Sequence, residues 1–220
     1  METQIAAEPP KWRKFLVQNA FGFVIGLAGF YGLSRLYLSG ALGELGASQI
    51  AAGTTGLAFL VLALVLAFAI IIGIAMPRAG ARFLNLEDEQ ELREQRWLIG
   101  LSTVAMIAMG AALCALALAG PGGILQPQAA LWIALAMWLV ATPVSFWLWT
   151  VMDELEREMS RECGNLSYYL MFLVGGGWAL LAYSGVMTGP APLDWLTMFH
   201  ALPLVAGVIV AGRRGMLRQR

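Results

Sequence analysis

The stretch GTTGLAFLVLALVLAFAIIIGIAM, residues 53–76, decides the fold of this chain. It carries no charged side chain, and about 20 mostly apolar residues are enough for a helix to cross the hydrocarbon core of a bilayer. The stretch does not alternate between apolar and polar residues as a barrel strand does. A segment in lipid must satisfy its own backbone hydrogen bonds, so these residues predict a membrane-spanning α-helix.

Five further apolar segments accompany it, at residues 15–38, 98–119, 129–151, 166–187 and 194–212. Hydrophobic residues make up 59% of the 220 residues and charged residues 13%, whereas a soluble domain carries about 25% charged residues. We therefore predict an all-α integral membrane protein, a bundle of about six transmembrane helices with short cytoplasmic helix extensions. Residues 1–14 form an N-terminal tail, 15–212 the transmembrane domain and 213–220 a basic C-terminal tail.

The basic residues indicate the orientation of the chain. Of the 14 Lys and Arg, all but Arg35 fall in the two tails or in the second and fourth connections between segments. The positive-inside rule then predicts that both termini are cytoplasmic. Segment 15–38 exceeds the roughly 7–15 residues of a signal-peptide core, so we interpret it as an uncleaved first helix. Because the basic residues sort to one side and we find no targeting signal, we expect a multi-pass protein of a bacterial inner membrane. The basic tails should favour anionic lipid by about 1 kcal/mol per well-placed Lys or Arg.

Two of the connections resemble each other, EDEQELREQR at residues 87–96 and MDELEREMSR at residues 152–161. A shift of 65 residues superimposes Asp88 on Asp153 and carries the third and fourth segments onto the fifth and sixth. One interpretation is three repeated helical hairpins, which would be parallel repeats because each crosses out and back. The alternative is a chance match between two short acidic stretches.

The same connections hold the candidate metal ligands Glu87, Glu91, Glu94, Asp153 and Glu154. Carboxylate oxygens suit Mg²⁺ or Ca²⁺, so a cation site at the cytoplasmic mouth is one hypothesis. The other is a pair of solvated helix extensions, supported by acidic and basic residues four positions apart. We favour the second and expect no metal, because the spacing of a calcium-binding loop is absent.

Candidate helix breaks lie within the membrane segments. Pro143 and Pro203 each fall near mid-membrane, where a proline removes one backbone donor and frees the carbonyl one turn earlier. Breaks in repeated units can mark a transport site, although prolines also kink membrane helices without a function. Gly175, Gly176 and Gly177 follow one another in the fifth segment, which predicts close helix packing or a local break there.

Two other features concern helix packing and titration. Gly22 and Gly26 form a GxxxG motif, which is typical of close helix–helix packing within one chain or between chains.

His200, the only histidine, is placed within the last segment. An ionisable residue in a membrane is a functional hypothesis, but we expect a neutral ring that bonds a backbone carbonyl.

Several classes of function are disfavoured. A formal net charge of zero argues against a nucleic-acid partner. The chain lacks the HExxH, GxSxG and phosphate-loop motifs, so we expect neither an enzyme nor a cofactor. No Asp, Glu, Lys or Arg falls in the middle of a segment, where ion-coupled pumps usually need one.

Two hypotheses remain. The first is a non-catalytic accessory, assembly or scaffolding subunit of a membrane complex, whose small-residue faces pack against other membrane subunits or a second copy. The second is a transporter or channel for a neutral or weakly polar solute, with a mid-membrane site near the two prolines. That alternative needs a cavity lined by Thr142, Ser145 or the glycines of the fifth segment.

Overall fold

The computed structural model describes residues 35, 40, 45–77, 89–119 and 123–214. Within these ranges all regular structure is helical and no strand occurs. The helices are α1 (Ala47–Ala75), α2 (Glu89–Ala117), α3 (Pro127–Val151), α4 (Glu154–Tyr183) and α5 (Pro192–Arg213). All five are long and apolar enough to span a membrane. The predicted segment 15–38, apart from Arg35, lies outside the described residues, as do Gly22 and Gly26.

Helix α4 begins at Glu154, 12 residues before the predicted apolar segment at residue 166, so it includes the helix extension that the acidic stretch predicted. The reason is a capping box, in which side chain and backbone satisfy each other's free groups at a helix start. The Asp153 carboxylate accepts the Glu156 backbone N–H at 2.7 Å, and the Glu156 carboxylate accepts the Asp153 N–H at 3.3 Å. The polar stretch before the apolar segment is therefore a helical extension.

The five helices alternate in direction. The Gln49 side chain near the start of α1 donates from Nε2 to the Ala117 carbonyl at the end of α2, at 2.8 Å. We call this the upper end of the bundle. At the opposite, lower end the Trp97 and Trp147 rings of α2 and α3 lie 5.9 Å apart edge to face. The path then runs up through α4 and down through α5, whose last residues also lie at the lower end.

The core of the described bundle consists mainly of alanine. Twelve of the 17 buried hydrophobic residues are Ala, and most large apolar side chains point outwards. This suits a membrane, where lipid is as apolar as leucine and small side chains allow helices to approach closely. The closest approach joins α1 and α2 at Gly56 and Gly110: a Cβ atom added to either would lie within 3 Å of the other's carbonyl oxygen.

The helices pack in the spatial order α3, α2, α1, α5, α4, so α4 stands at one edge. It packs mainly against α5, where Glu162 and Arg214 form an ion pair of 2.8 Å. This hydrogen-bonded carboxylate raises the pKa of the Arg214 guanidinium, which therefore stays charged. In its middle, α4 widens into a π-helical turn over Phe172–Gly176. Such turns are uncommon and often accompany functional sites.

Candidate functional site

A groove of about 320 Å³ opens between α3 and α5, with α2 as its floor. Ligand pockets commonly measure about 300–1,000 Å³, so this one is at the small end of that range. Its lining side chains come from three helices: Met109, Trp138, Ala141, Thr142, Ser145, Phe146 and His200. None of these carries a fixed charge.

One face of α3 supplies most of the lining. Trp138, Thr142 and Ser145 are spaced four and three residues apart, which places them on the same side of a helix. Pro143 lies among them, and α3 continues through it without interruption. Thr142 lies nine residues before Val151, about 14 Å along the helix axis from the lower end. The groove is therefore at membrane depth, beside one of the two predicted proline positions.

His200 faces the groove from α5, and its ring is held on two sides. Nδ1 lies 2.7 Å from the Leu196 carbonyl oxygen. A carbonyl only accepts, so Nδ1 carries the proton and, in a neutral imidazole, Nε2 is left as an acceptor. The Phe59 ring of α1 packs edge to face against the imidazole, with 6.2 Å between ring centroids. This is the carbonyl bond that we expected for a histidine within a span.

The hydroxyl groups in the groove differ from most of those in the described helices. Seven Ser and Thr hydroxyls in or at the ends of the described helices donate to a backbone carbonyl three or four residues earlier, among them Thr103, Thr150 and Thr197. Thr142 and Ser145 make no such bond and have no other hydrogen-bond partner among the described residues. Polar groups without partners are costly at membrane depth, so these two hydroxyls are available to a ligand.

A second, smaller groove of about 200 Å³ lies at the lower end. Ser102, Leu148 and Glu156 are among its lining residues. Glu156 already takes part in the capping box of α4. This groove therefore belongs to the polar boundary of the bundle and does not reach the depth of His200.

The other predicted breaks lie elsewhere. Helix α5 runs through Pro203 without interruption, and Pro203 is not part of the groove lining. Gly175 lies under the Trp195 ring, so that an added Cβ would meet it at 2.8 Å. A Cβ atom added to Gly176 would lie 4.0 Å from the Phe172 ring, and one added to Gly177 would have nothing within 4 Å. Gly175 and Gly176 are thus part of the π-helical turn, only Gly175 takes part in the α4–α5 contact, and none of the three lines the groove.

The acidic candidates do not come together in the described part of the chain. No group of three or more His, Cys, Asp or Glu with metal-binding geometry occurs there. Asp153 caps α4, and Glu94 accepts a hydrogen bond from the Gln90 side chain at 3.1 Å. Glu87 and the side chain of Glu91 lie outside the described residues.

Comparison with known proteins adds no assignment: no protein-family model, no curated protein sequence and no solved structure matches this chain. The function must therefore be argued from the groove and from the exposed surfaces. Met109 and Phe146 were not predicted as site residues, because apolar side chains in a membrane helix look alike whether they face lipid or a groove. The recurrence of polar or indole side chains at residues 138, 142 and 145 was the available signal.

Proposed function

We propose that this chain is a non-catalytic, multi-pass protein of a bacterial inner membrane that serves as an accessory, assembly or scaffolding subunit. The observation that carries this proposal is the exposure of α4. Only 6% of its most apolar window is buried inside the described bundle. Tyr168, Phe172 and Leu173 are each about 70% exposed.

The exposed part of α4 also contains small residues that the described chain does not use. Gly164 and Gly177 have nothing within 4 Å of an added Cβ, in contrast to Gly56 and Gly110 at the α1–α2 crossing. Exposed glycines among large aromatic side chains give a helix surface with recesses, which suits another backbone better than disordered lipid chains. The partner that we propose for this surface is an apolar transmembrane helix of another protein.

Native purification in mild detergent, with mass determination and identification of co-purifying chains, tests this proposal. We expect stoichiometric foreign subunits. Replacing Gly177 by Leu should remove them, while the matched control Gly100→Leu, also in open space but on α2, should retain them. Purification as a lone monomer or homo-oligomer would contradict the proposal.

The proposed topology has six spanning helices with both termini in the cytoplasm. The five described helices begin at the upper end and finish at the lower end, so an odd number of further crossings is needed to bring both termini to one side. Segment 15–38 supplies one such crossing by its length and hydropathy. Arg213 and Arg214 lie at the lower end, which the positive-inside rule assigns to the cytoplasm.

We also propose that the last two hairpins arose by duplication. Two observations support this beyond the similar acidic stretches. Helices α3 and α5 begin 65 residues apart, at Pro127 and Pro192. The same shift pairs Ala141 with Ala206, both buried, and Gly110 with Gly175, both in close helix contacts.

A second candidate function is the transport of a neutral or weakly polar solute. The groove favours it, because it lies at the depth of Pro143 and is lined by Thr142 and Ser145. Solute uptake into proteoliposomes should fall in Pro143→Ala, where the helix regains its backbone donor. Pro192→Ala is the matched control, since that proline stands at the start of α5 and breaks no internal bond. Equal uptake by both variants would count against transport through this groove.

A further inference from the structure

We infer that the groove between α3 and α5 binds a neutral aromatic alcohol, that is, a phenol-type ring with a free hydroxyl. This deepens the second candidate function by naming a ligand class for the same groove. Binding does not require that the ligand be moved across the membrane, so the two ideas can fail separately.

The hydrogen-bonding groups of the groove define what the ligand must offer. His200 Nε2 is an acceptor, because Nδ1 already donates to Leu196. Thr142 and Ser145 can both donate, because neither hydroxyl is bound to a carbonyl within the described part of the chain. A phenolic hydroxyl meets both demands, since it donates one hydrogen bond and accepts others.

The apolar lining residues of the groove indicate the apolar part of the ligand. Trp138 and Phe146 place aromatic rings beside the polar groups, and aromatic pairs gain about 0.5–1.5 kcal/mol beyond area burial. Met109 offers a polarizable thioether, which also contacts aromatic rings favourably. A volume of about 320 Å³ suits a small ligand with a single ring.

The charge of the groove and its opening limit the class of ligand further. A charged head group would find no counter-ion among the described lining residues at membrane depth, which is costly. Thr142 is exposed, and Phe146 is 71% exposed. The groove therefore opens sideways, so the phenol could arrive from the membrane on a hydrocarbon tail or from water as a small solute.

Equilibrium dialysis tests the inference on the full chain in nanodiscs of phosphatidylcholine and phosphatidylglycerol, with empty nanodiscs as the blank. The probes are labelled 4-propylphenol and its methyl ether, 4-propylanisole, which lacks the donated proton. We expect saturable binding of the phenol at one site per chain. The ether should bind about tenfold more weakly, because loss of one buried hydrogen bond leaves His200 unpaired. Equal affinities, or no saturable binding, would overturn the inference.

Variants locate the site. The double variant Thr142→Val with Ser145→Ala, and separately His200→Phe, should each weaken phenol binding about tenfold. The matched control is Thr150→Val on the same helix, because Thr150 donates to Trp147 at 2.7 Å and does not line the groove. Unchanged affinity in the double variant would also overturn the inference. Should His200→Phe not fold, the comparison of phenol with ether on the unaltered chain still decides.

Two further measurements ask whether the ligand comes from the membrane or from water, and whether a bound ligand is also transported. If 4-dodecylphenol binds more tightly than 4-propylphenol after correction for lipid partitioning, the ligand comes from the membrane, and equal binding indicates a solute from water. Phenol binding without phenol uptake would support the inference while contradicting transport.

Discussion

At the scale of single residues, two of the contacts between α1 and α2 involve polar or small residues where a soluble core would have large apolar ones. Gly56 and Gly110 bring the two backbones together in the middle of the helices. At the upper end Gln49, only 6% exposed, bonds the Ala117 carbonyl and also accepts the Gly46 backbone N–H at 2.9 Å. Both contacts can be tested by substitution.

Gly56→Ala should destabilise the protein. The added methyl group would lie 2.8 Å from both the Gly110 carbonyl oxygen and the Cys114 sulfur, and overpacking typically costs about 1–3 kcal/mol. Thermal unfolding in detergent measures the effect. The control Gly100→Ala has open space and should be neutral or stabilising by up to about 1 kcal/mol. Equal melting temperatures for the two variants would mean that the crossing is looser than described.

Gln49→Leu should cost about 1–3 kcal/mol, because it leaves the Ala117 carbonyl without its partner in an apolar setting. Denaturant unfolding, followed by tryptophan fluorescence, measures this loss. The matched control is Thr54→Val, whose exposed hydroxyl bonds only the Ile50 carbonyl of its own helix. An equal loss of unfolding free energy in Thr54→Val would show that the bond between helices contributes no more than a bond within one helix.

At the scale of helices, α4 is the element whose geometry departs most from a regular α-helix. Its π-helical turn over Phe172–Gly176 separates a lower half, joined to α5 by Glu162 and Arg214, from an upper half. Both halves must meet the same neighbour, and Gly175 under Trp195 marks the second contact. The turn sets the angle between these two contacts.

Deleting Val174, which lies in the turn between Glu162 and Gly175, should break one of the two contacts, because each residue of an α-helix advances about 100° and 1.5 Å. In a background lacking Cys114 and Cys163, cysteines placed at Glu162 and Arg214 can be joined by a short bifunctional thiol reagent. We expect the deletion to lower the cross-linking yield several-fold. The substitution Val174→Ala keeps the residue count and should cross-link as the parent does. An equal loss of cross-linking in both variants would mean that the missing side chain, and not the shortened turn, is the cause.

The helices themselves could be largely predicted from the sequence, because each apolar run must become a helix in lipid. The acidic stretch before the fifth segment was predicted as a helix extension, but its first residue was not, because the start depends on the capping box of Asp153 and Glu156. The π-helical turn could not be specified, because three glycines predict either close packing or a break. Thr142 and Ser145 were predicted as cavity-lining residues, but the position of His200 across the groove depends on where α3 and α5 lie around α2.

At the scale of the whole molecule, the described helices leave the start of α1 and the end of α5 on opposite sides. A sixth crossing brings the two termini together, whereas a five-helix chain would separate them. The number of crossings therefore decides whether the N-terminal tail lies on the same side of the membrane as the end of α5.

Cysteine labelling with a membrane-impermeant maleimide distinguishes the two arrangements in a background lacking Cys114 and Cys163. With six crossings, Thr3→Cys should react only in inverted vesicles, because the N-terminal tail is then cytoplasmic. Ser184→Cys, at the upper end of α4, serves as the opposite control and should react in intact cells. Labelling of Thr3→Cys in intact cells would favour five crossings.

The edge position of α4 also has a consequence for synthesis. Its main neighbour, α5, follows it in the chain and ends 30 residues after Tyr183, which is roughly 2–6 s of translation at 5–20 residues per second. During that interval α4 has left the ribosome before the helix that should receive it. A chain cut short before Pro192 would keep α4 permanently without that neighbour, and membrane quality-control proteases should recognise it.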